Sequence, residues 1–140
     1  MQCAELQAYL TPLETAREAA ALSREYAGAL LAVERNNHGA GVLAHLAGVC
    51  RYEPLYRRDG LEGFLTTSIT RSDMLAHLDR VLVESPSIFS SDRLLRECRS
   101  FVRKGNGRLE ARGGEHDDCV MAMAIAQMVR REQPVSGRVH

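Results

Sequence analysis

From Cys119 to Ala126 the chain reads Cys-Val-Met-Ala-Met-Ala-Ile-Ala, without one charged side chain. No other stretch limits the possible folds as much. A helix that is apolar almost all round must be covered by other elements of the protein on most of its faces, its methionines serving as core packing. Directly before it stand Glu115, His116, Asp117 and Asp118. Carboxylates are favoured at such a place in any protein, because the first turn presents free N–H groups and the positive end of the helix dipole. Capping accounts for one aspartate but poorly for a doublet, since adjacent helical residues point about 100° apart and only one can cap. The pattern predicts a long buried helix through about Arg131 and a frayed tail from Gln133 to His140, which contains Pro134 and Gly137.

The cover has to come from the preceding chain. Thr11-Pro12-Leu13-Glu14 is a helix start: Thr as N-cap, Pro at the first helical position, and Glu three residues after the cap to close a capping box. Leu13, Ala16, Ala20, Ser23 and Ala27 then mark one face of a helix that should stop at Gly28. Leu30 to Val33 is apolar without helical period and reads as a buried strand that delivers Glu34 at its C-terminal end. Asn36 to Gly41 reads as a turn, Val42 to Ala47 as a second helix ending near Gly48, and Val49 to Tyr56 as a strand that Pro54 assigns to an edge. Ala4 to Leu10 alternates as a short strand would. Strands separated by helices in this order imply an α/β layer with at least two neighbouring parallel strands.

Asp59 to Thr70 is rich in glycine and threonine and reads as loop. Ser72 to Glu84 carries Met74, Leu75, Leu78, Val81 and Leu82 at helical spacing, and Pro86 ends that helix. Ser90, Ser91 and Asp92 supply caps for a further helix bearing Leu94, Leu95, Cys98, Phe101 and Val102. Gly105-Asn106-Gly107 is a hairpin turn signal between short strands near Phe101 to Lys104 and Arg108 to Arg112.

A chain of 140 residues fits one domain, expected over residues 1–132 with a flexible tail at 133–140. No apolar run approaches the roughly 20 residues of a membrane span, and Glu5 and Gln7 interrupt the early apolar stretch, so neither membrane insertion nor export is expected. The expected location is the cytoplasm. Lys+Arg and Asp+Glu are both 18, which gives no overall attraction to a polyanion. Arginine is clustered locally, in Arg51, Arg57 and Arg58 and again in Arg99, Arg103, Arg108 and Arg112. The four cysteines form no C-x-x-C pair, and they read as buried thiols in a reducing compartment.

Glu34 stands at the carboxyl end of a strand, where α/β proteins form their ligand crevices. The carboxylates at the start of the buried helix offer the hard oxygen donors that Mg²⁺ and Mn²⁺ prefer. In order along the chain come V-E-R-N-N-H-G (Val33 to Gly39), T-S-I-T-R-S-D-M-L (Thr67 to Leu75), F-V-R-K-G-N-G-R-L-E-A (Phe101 to Ala111) and G-E-H-D-D-C-V-M-A-M-A-I-A (Gly114 to Ala126). This series resembles the C-terminal nuclease domain of phage terminase large subunits. The resemblance covers nearly the whole chain, and its sharpest part is the closing H-D-D before small and apolar residues.

What the resemblance implies is an RNase H-like mixed sheet flanked by helices, and a metal-dependent endonuclease that cuts viral DNA during genome packaging in a bacterial host cytoplasm. Two divalent metals, Mg²⁺ or Mn²⁺, would be held by acidic residues, one activating a water and the other steadying the leaving oxygen. Glu34 matches the family's second acidic position and Asp117-Asp118 the third. Asn37, His38, His116 and Arg71 flank these motifs, beside the metals or against DNA. The family's first aspartate lies on a strand ahead of everything seen here, and Glu5 does not fit it. Under the resemblance the first strands are missing, the P-loop ATPase domain is absent, and the chain is weakly active or inactive alone. Its partners would be double-stranded DNA, other terminase or portal components, and a second copy paired through an exposed sheet edge.

Two other readings stand beside this one. The chain could be a non-catalytic remnant or assembly module with the same fold. Alternatively, Gly39-Ala40-Gly41-Val42-Leu43-Ala44 satisfies the G-x-G-x-x-A pattern of dinucleotide binding, with Asp59 about 20 residues further on. Four polar residues, Arg35 to His38, separate that glycine from the strand, whereas the fingerprint requires a tight turn.

Overall fold

The computed structural model describes residues 1–103, 109–111 and 117–133. These residues form a mixed α/β arrangement of five α-helices and two antiparallel pairs of short strands. No sheet of more than two strands occurs among them, in place of the larger mixed sheet expected. The chain divides into two compact units. One is Leu6–Thr70, and the other joins Met1–Glu5 to the described residues from Arg71 onward.

In the first unit, helix α1 (Pro12–Glu25) starts as its sequence requires. The Glu14 amide donates to the Thr11 hydroxyl at 3.3 Å, and the Thr11 amide donates back to the Glu14 carboxylate at 2.8 Å. The helix ends where the N–H groups of Tyr26, Gly28 and Ala29 all converge on the Ser23 carbonyl, with Ala27 and Gly28 at positive φ. Helix α2 (Gly39–Gly48) begins three residues before the expected Val42. Ala16 and Ala20, fully buried on α1, let α2 approach closely, and Val42, Leu43, Leu46, Tyr52 and Leu55 complete the core. Burying these apolar side chains stabilises the unit by about 25 cal/mol per Å² removed from water.

The expected parallel pairing is present in abbreviated form. Leu31 donates to the Pro54 carbonyl and accepts from the Tyr56 amide, both at 2.8 Å. Two residues on, the Val33 carbonyl accepts from Phe64 and the Arg35 amide donates to the Phe64 carbonyl. Leu31 and Glu34 thus form parallel bridges with Leu55 and Phe64. Between these bridges the partner chain leaves as a small hairpin, strands β1 (Arg57–Arg58) and β2 (Leu61–Glu62), closed by the Gly63 amide on the Tyr56 carbonyl. Asp59 and Gly60 both have positive φ, which a type I′ two-residue turn demands. The segment from Asp59 onward therefore opens with a hairpin and not with loop alone.

Three further expectations fail here. Val49 to Tyr56 is no continuous strand, because Arg51 at φ 48° turns the chain and the Tyr52 amide returns to the Leu46 carbonyl. Ala4 to Leu10 forms no strand either, and its residues are exposed. Helix α3 (Ser68–Glu84) starts four residues ahead of Ser72, since Thr67 and Thr70 cap each other reciprocally: each amide donates to the other's hydroxyl, at 2.7 and 3.2 Å.

In the second unit α3 buries Met74, Leu75 and Leu78. A 3₁₀ turn (Pro86–Ile88) follows, and helix α4 (Asp92–Ser100) begins at the cap Ser91, whose hydroxyl accepts from the Leu94 amide at 3.0 Å. Phe101 and Val102 leave the helix for strand β3 (Phe101–Arg103), which pairs with β4 (Leu109–Ala111) in the register Phe101 with Ala111 and Arg103 with Leu109. The turn Gly105-Asn106-Gly107 lies outside the described residues. Helix α5 (Asp118–Glu132) is covered as its composition requires, with Val120, Ala124, Ile125 and Met128 nearly inaccessible. Its open positions are Asp118, Ala122, Ala126 and Arg130, a stripe at four-residue spacing that continues into the exposed last turn. Among the described residues no helix is long and apolar enough to cross a membrane.

Candidate functional site

The buried start of α5 has to satisfy amides that have no partner within the helix. A residue from another helix does so. Glu97 of α4, 8% exposed, accepts from the amides of Cys119 at 2.8 Å and Val120 at 3.1 Å. Its negative charge sits at the positive end of the α5 dipole, which favours it further. Sequence reasoning missed Glu97. The available signal was its position three residues after the buried Leu94, an acidic side chain on α4's apolar face.

Asp117 occupies the N-cap position of α5 but makes no capping hydrogen bond. Its Oδ2 lies 3.3 Å from Nη2 of Arg71, an ion pair in which the two side chains are 33% and 21% exposed. The other arm of that guanidinium, Nη1, is 2.8 Å from the sulfur of Met121, one turn along α5. Asp118 is exposed at the head of the open stripe. Cys119 offers no thiolate here: burial first, then the charge of Glu97, pushes its pKa up to about 12. Burial also raises the Cys98 thiol. Glu115 and His116 lie outside the described residues.

Glu34 belongs to the other unit. Its backbone bridges Phe64, its side chain is half-buried, and its carboxylate has no hydrogen-bond or ion-pair partner among the described residues. The turn after it is held by Asn36, whose side-chain amide donates to the Thr66 carbonyl at 2.8 Å and accepts from the Thr66 amide at 2.9 Å. That pair extends the parallel ladder beyond Arg35 with a side chain in place of backbone. Asn37 follows at φ 51° and is exposed, as is His38, which sits at the N-cap of α2 without a side-chain cap bond.

The glycines of the dinucleotide-like pattern have packing roles. A Cβ on Gly39 would run into the Glu34 carbonyl oxygen, and one on Gly41 would come within 3.4 Å of Pro12. An open cleft of about 420 Å³ beside α3 is lined by Leu75, Leu78, Leu82, Phe101 and Val120 together with the polar Ser72 and Asp79, and brings no catalytic set together among the described residues.

The sequence-derived candidates thus fall into two groups, Arg71 with Asp117 and Asp118 at the start of α5, and Glu34 with Asn37 and His38 beside α2. Among the described residues no group of three or more Asp, Glu, His or Cys side chains converges as a metal site. The donor chemistry of Asp117 and Asp118 suits a hard cation that keeps most of its water, as Mg²⁺ does with one or two carboxylates. Arg71 already stands beside Asp117 as a cation. No protein-family model matches the chain, and no curated protein matches it at a significant level.

Proposed function

We propose that this chain is a metal-dependent DNA endonuclease domain of the terminase large-subunit kind, RNase H-like in ancestry, and only weakly active by itself. The observation that carries this reading is the division of labour at the start of α5. Glu97 caps the helix, so the Asp117-Asp118 doublet is not explained by capping. Asp117 is paired with Arg71, and Asp118 stands exposed beside it, so the doublet presents carboxylate oxygens at a helix start that is capped from elsewhere. Glu34, a half-buried carboxylate without a hydrogen-bond or ion-pair partner among the described residues, at the end of a parallel-bridged segment, is the second element of support.

In this reading Asp117 and Asp118 would hold Mg²⁺ or Mn²⁺, which would supply water activation and charge stabilisation at a phosphodiester, and Glu34, in the other unit, would be a further acidic ligand residue by the resemblance. Arg71 in the one unit and Asn37 and His38 in the other would be the candidates to contact DNA. The shortage of converging ligands among the described residues is the reason for expecting slow cleavage. Packaging proteins, or a second copy pairing along Leu30 to Glu34, would be its partners. Among the described residues Ala32, in the middle of that segment, makes no backbone hydrogen bond.

The test combines Mn²⁺ binding, followed by electron paramagnetic resonance of the free ion, with nicking of supercoiled plasmid. Weak saturable binding that Asp117→Asn/Asp118→Asn abolishes is expected, together with slow nicking that Glu34→Gln lowers at least about tenfold, the scale of one lost catalytic interaction. Binding and nicking indifferent to all three substitutions would refute the reading. Binding without any nicking would refute the endonuclease and favour the non-catalytic module.

A further inference from the structure

The segment Met1–Glu5 belongs to no helix or strand, yet it is seated on the entry to α4 across 86 to 89 residues of sequence. Gln2 is the anchor, the single member of the first ten residues that is not exposed. Its amide donates to the Ile88 carbonyl at 2.7 Å, and its own carbonyl accepts from the Ser90 hydroxyl at 3.1 Å. Its side-chain oxygen accepts from the amides of Ser90 and Ser91, both at 3.2 Å. Glu5 adds its carboxylate: one oxygen accepts from the Ser91 hydroxyl, and the other lies 3.6 Å from Nη1 of Arg93. The stretch Ile88–Arg93 thus holds a short peptide both by its backbone and by two side chains three residues apart, the combination that peptide-binding surfaces use for affinity and specificity.

We infer that Met1–Glu5 is an exchangeable arm: the seat Ile88–Arg93 of one copy binds the arm of a second copy, and two chains trade arms to form a two-fold dimer. The occupant follows from what the seat already holds. A second copy's arm carries the same Gln2 and Glu5 and makes the same hydrogen bonds, so exchange requires no new complementarity. The hold is weak enough to open, because the Glu5–Arg93 pair is 24% and 45% exposed and the arm outside Gln2 buries little. Between arm and α1 runs Leu6 to Leu10, exposed and without regular structure, a linker that reaches about 17 Å when extended. It supplies the driving force. In the closed chain Leu6 is 54% and Tyr9 fully exposed, whereas two linkers crossing at the two-fold axis cover each other's apolar side chains. The inference is independent of the nuclease reading and concerns a surface other than the Leu30 to Glu34 edge.

The experiment uses the full chain at low ionic strength, where a partly exposed ion pair is least screened. Sedimentation equilibrium of the unmodified chain should show a dimer whose fraction rises with concentration. Two charge reversals then identify the surface. In Glu5→Arg the arm meets like charge at Arg93, and in Arg93→Glu the seat meets like charge at Glu5, whether the arm binds its own chain or a copy of it. Mixed in equal amounts, the two variants can satisfy both seats, but only by trading arms: reversed arm on reversed seat, and unmodified arm on unmodified seat. Each seat that turns from repulsion to attraction is worth up to about fivefold, so the mixed dimer should form about tenfold more tightly than either variant's own. A chain carrying both substitutions restores the pair within one molecule and should behave as the unmodified chain. The inference is overturned if the unmodified chain stays monomeric at every concentration, a result that needs no variant to fold. It is equally overturned if the unmodified chain dimerises while the mixture associates no more tightly than the separate variants, which would place the contact on another surface.

Discussion

Replacing Glu97 by alanine tests the architecture on which the site depends. The side chain is 8% exposed and accepts from two amides at the start of α5, so solvent screening takes little away. Each hydrogen bond to a charged group contributes roughly 1.5–3 kcal/mol, which sets a ceiling of about 3–6 kcal/mol for the two. Two effects offset this. Alanine removes the cost of keeping a carboxylate out of water, and Asp117, already at the N-cap position, can turn to accept from one amide and recover about 1 kcal/mol. A net loss of about 2 kcal/mol remains, with a fall in Tm of about 5–8 °C. Glu97→Gln, which keeps an acceptor oxygen and loses the charge, should cost about half as much. Urea denaturation followed by far-ultraviolet circular dichroism measures both, at unchanged m-value. If Asp117 does take over, Asp117→Ala in the Glu97→Ala background should cost about 1 kcal/mol more than in the parent. A Glu97→Ala stability within about 0.5 kcal/mol of the parent would refute the reasoning, as would Glu97→Gln proving the more damaging change.

Two further perturbations address other parts of the molecule. Gly39→Ala drives a methyl group into the Glu34 carbonyl and should cost more than about 2 kcal/mol, whereas Gly41→Ala, with 3.4 Å to Pro12, should stay within about 0.5 kcal/mol; equal losses at both glycines would count against the close approach of α2 to Glu34. His77 has a buried Nδ1 without a hydrogen-bond partner among the described residues. Burial holds its pKa below the ordinary 6.5, with Arg131 and Arg80 adding to the effect against Glu84 and the Gln127 backbone. The folded state therefore binds fewer protons than the unfolded chain between the lowered value and 6.5. Stability should be in place above pH 6.5 and decline as the pH falls below it. Denaturation midpoints measured from pH 7.5 down to about pH 5 should show a decline that His77→Gln flattens, and an identical decline in the variant would remove His77 from the account.

What could be read in advance was local. The capping box at Thr11 and Glu14, the cap at Ser91 and the burial of α5 all follow from residues within one or two turns of each other, and each is found in place, whereas the first helix stops at Glu25, short of the expected Gly28, with Ala27 at φ 57° outside it. The Asp59-Gly60 turn was equally local, a two-residue hairpin signal passed over inside a presumed loop. What could not be read depends on partners far apart in the chain. Glu97 meets α5 across 22 residues, and Arg71 meets Asp117 across 46. The parallel ladder was foreseeable from element order, but not its interruption by a hairpin or its extension by Asn36, which depend on Phe64 and Thr66 some 30 residues downstream. This difference bears directly on the candidate site. From sequence, an aspartate doublet at a helix start is ambiguous, because capping and cation binding require the same residue type at the same place. The ambiguity narrows only when the helix start is seen to be capped from elsewhere. Glu97 thus carries more of the functional argument than the doublet itself, and a helix start capped by a distant carboxylate is the feature that makes further acidic residues there worth testing as ligands.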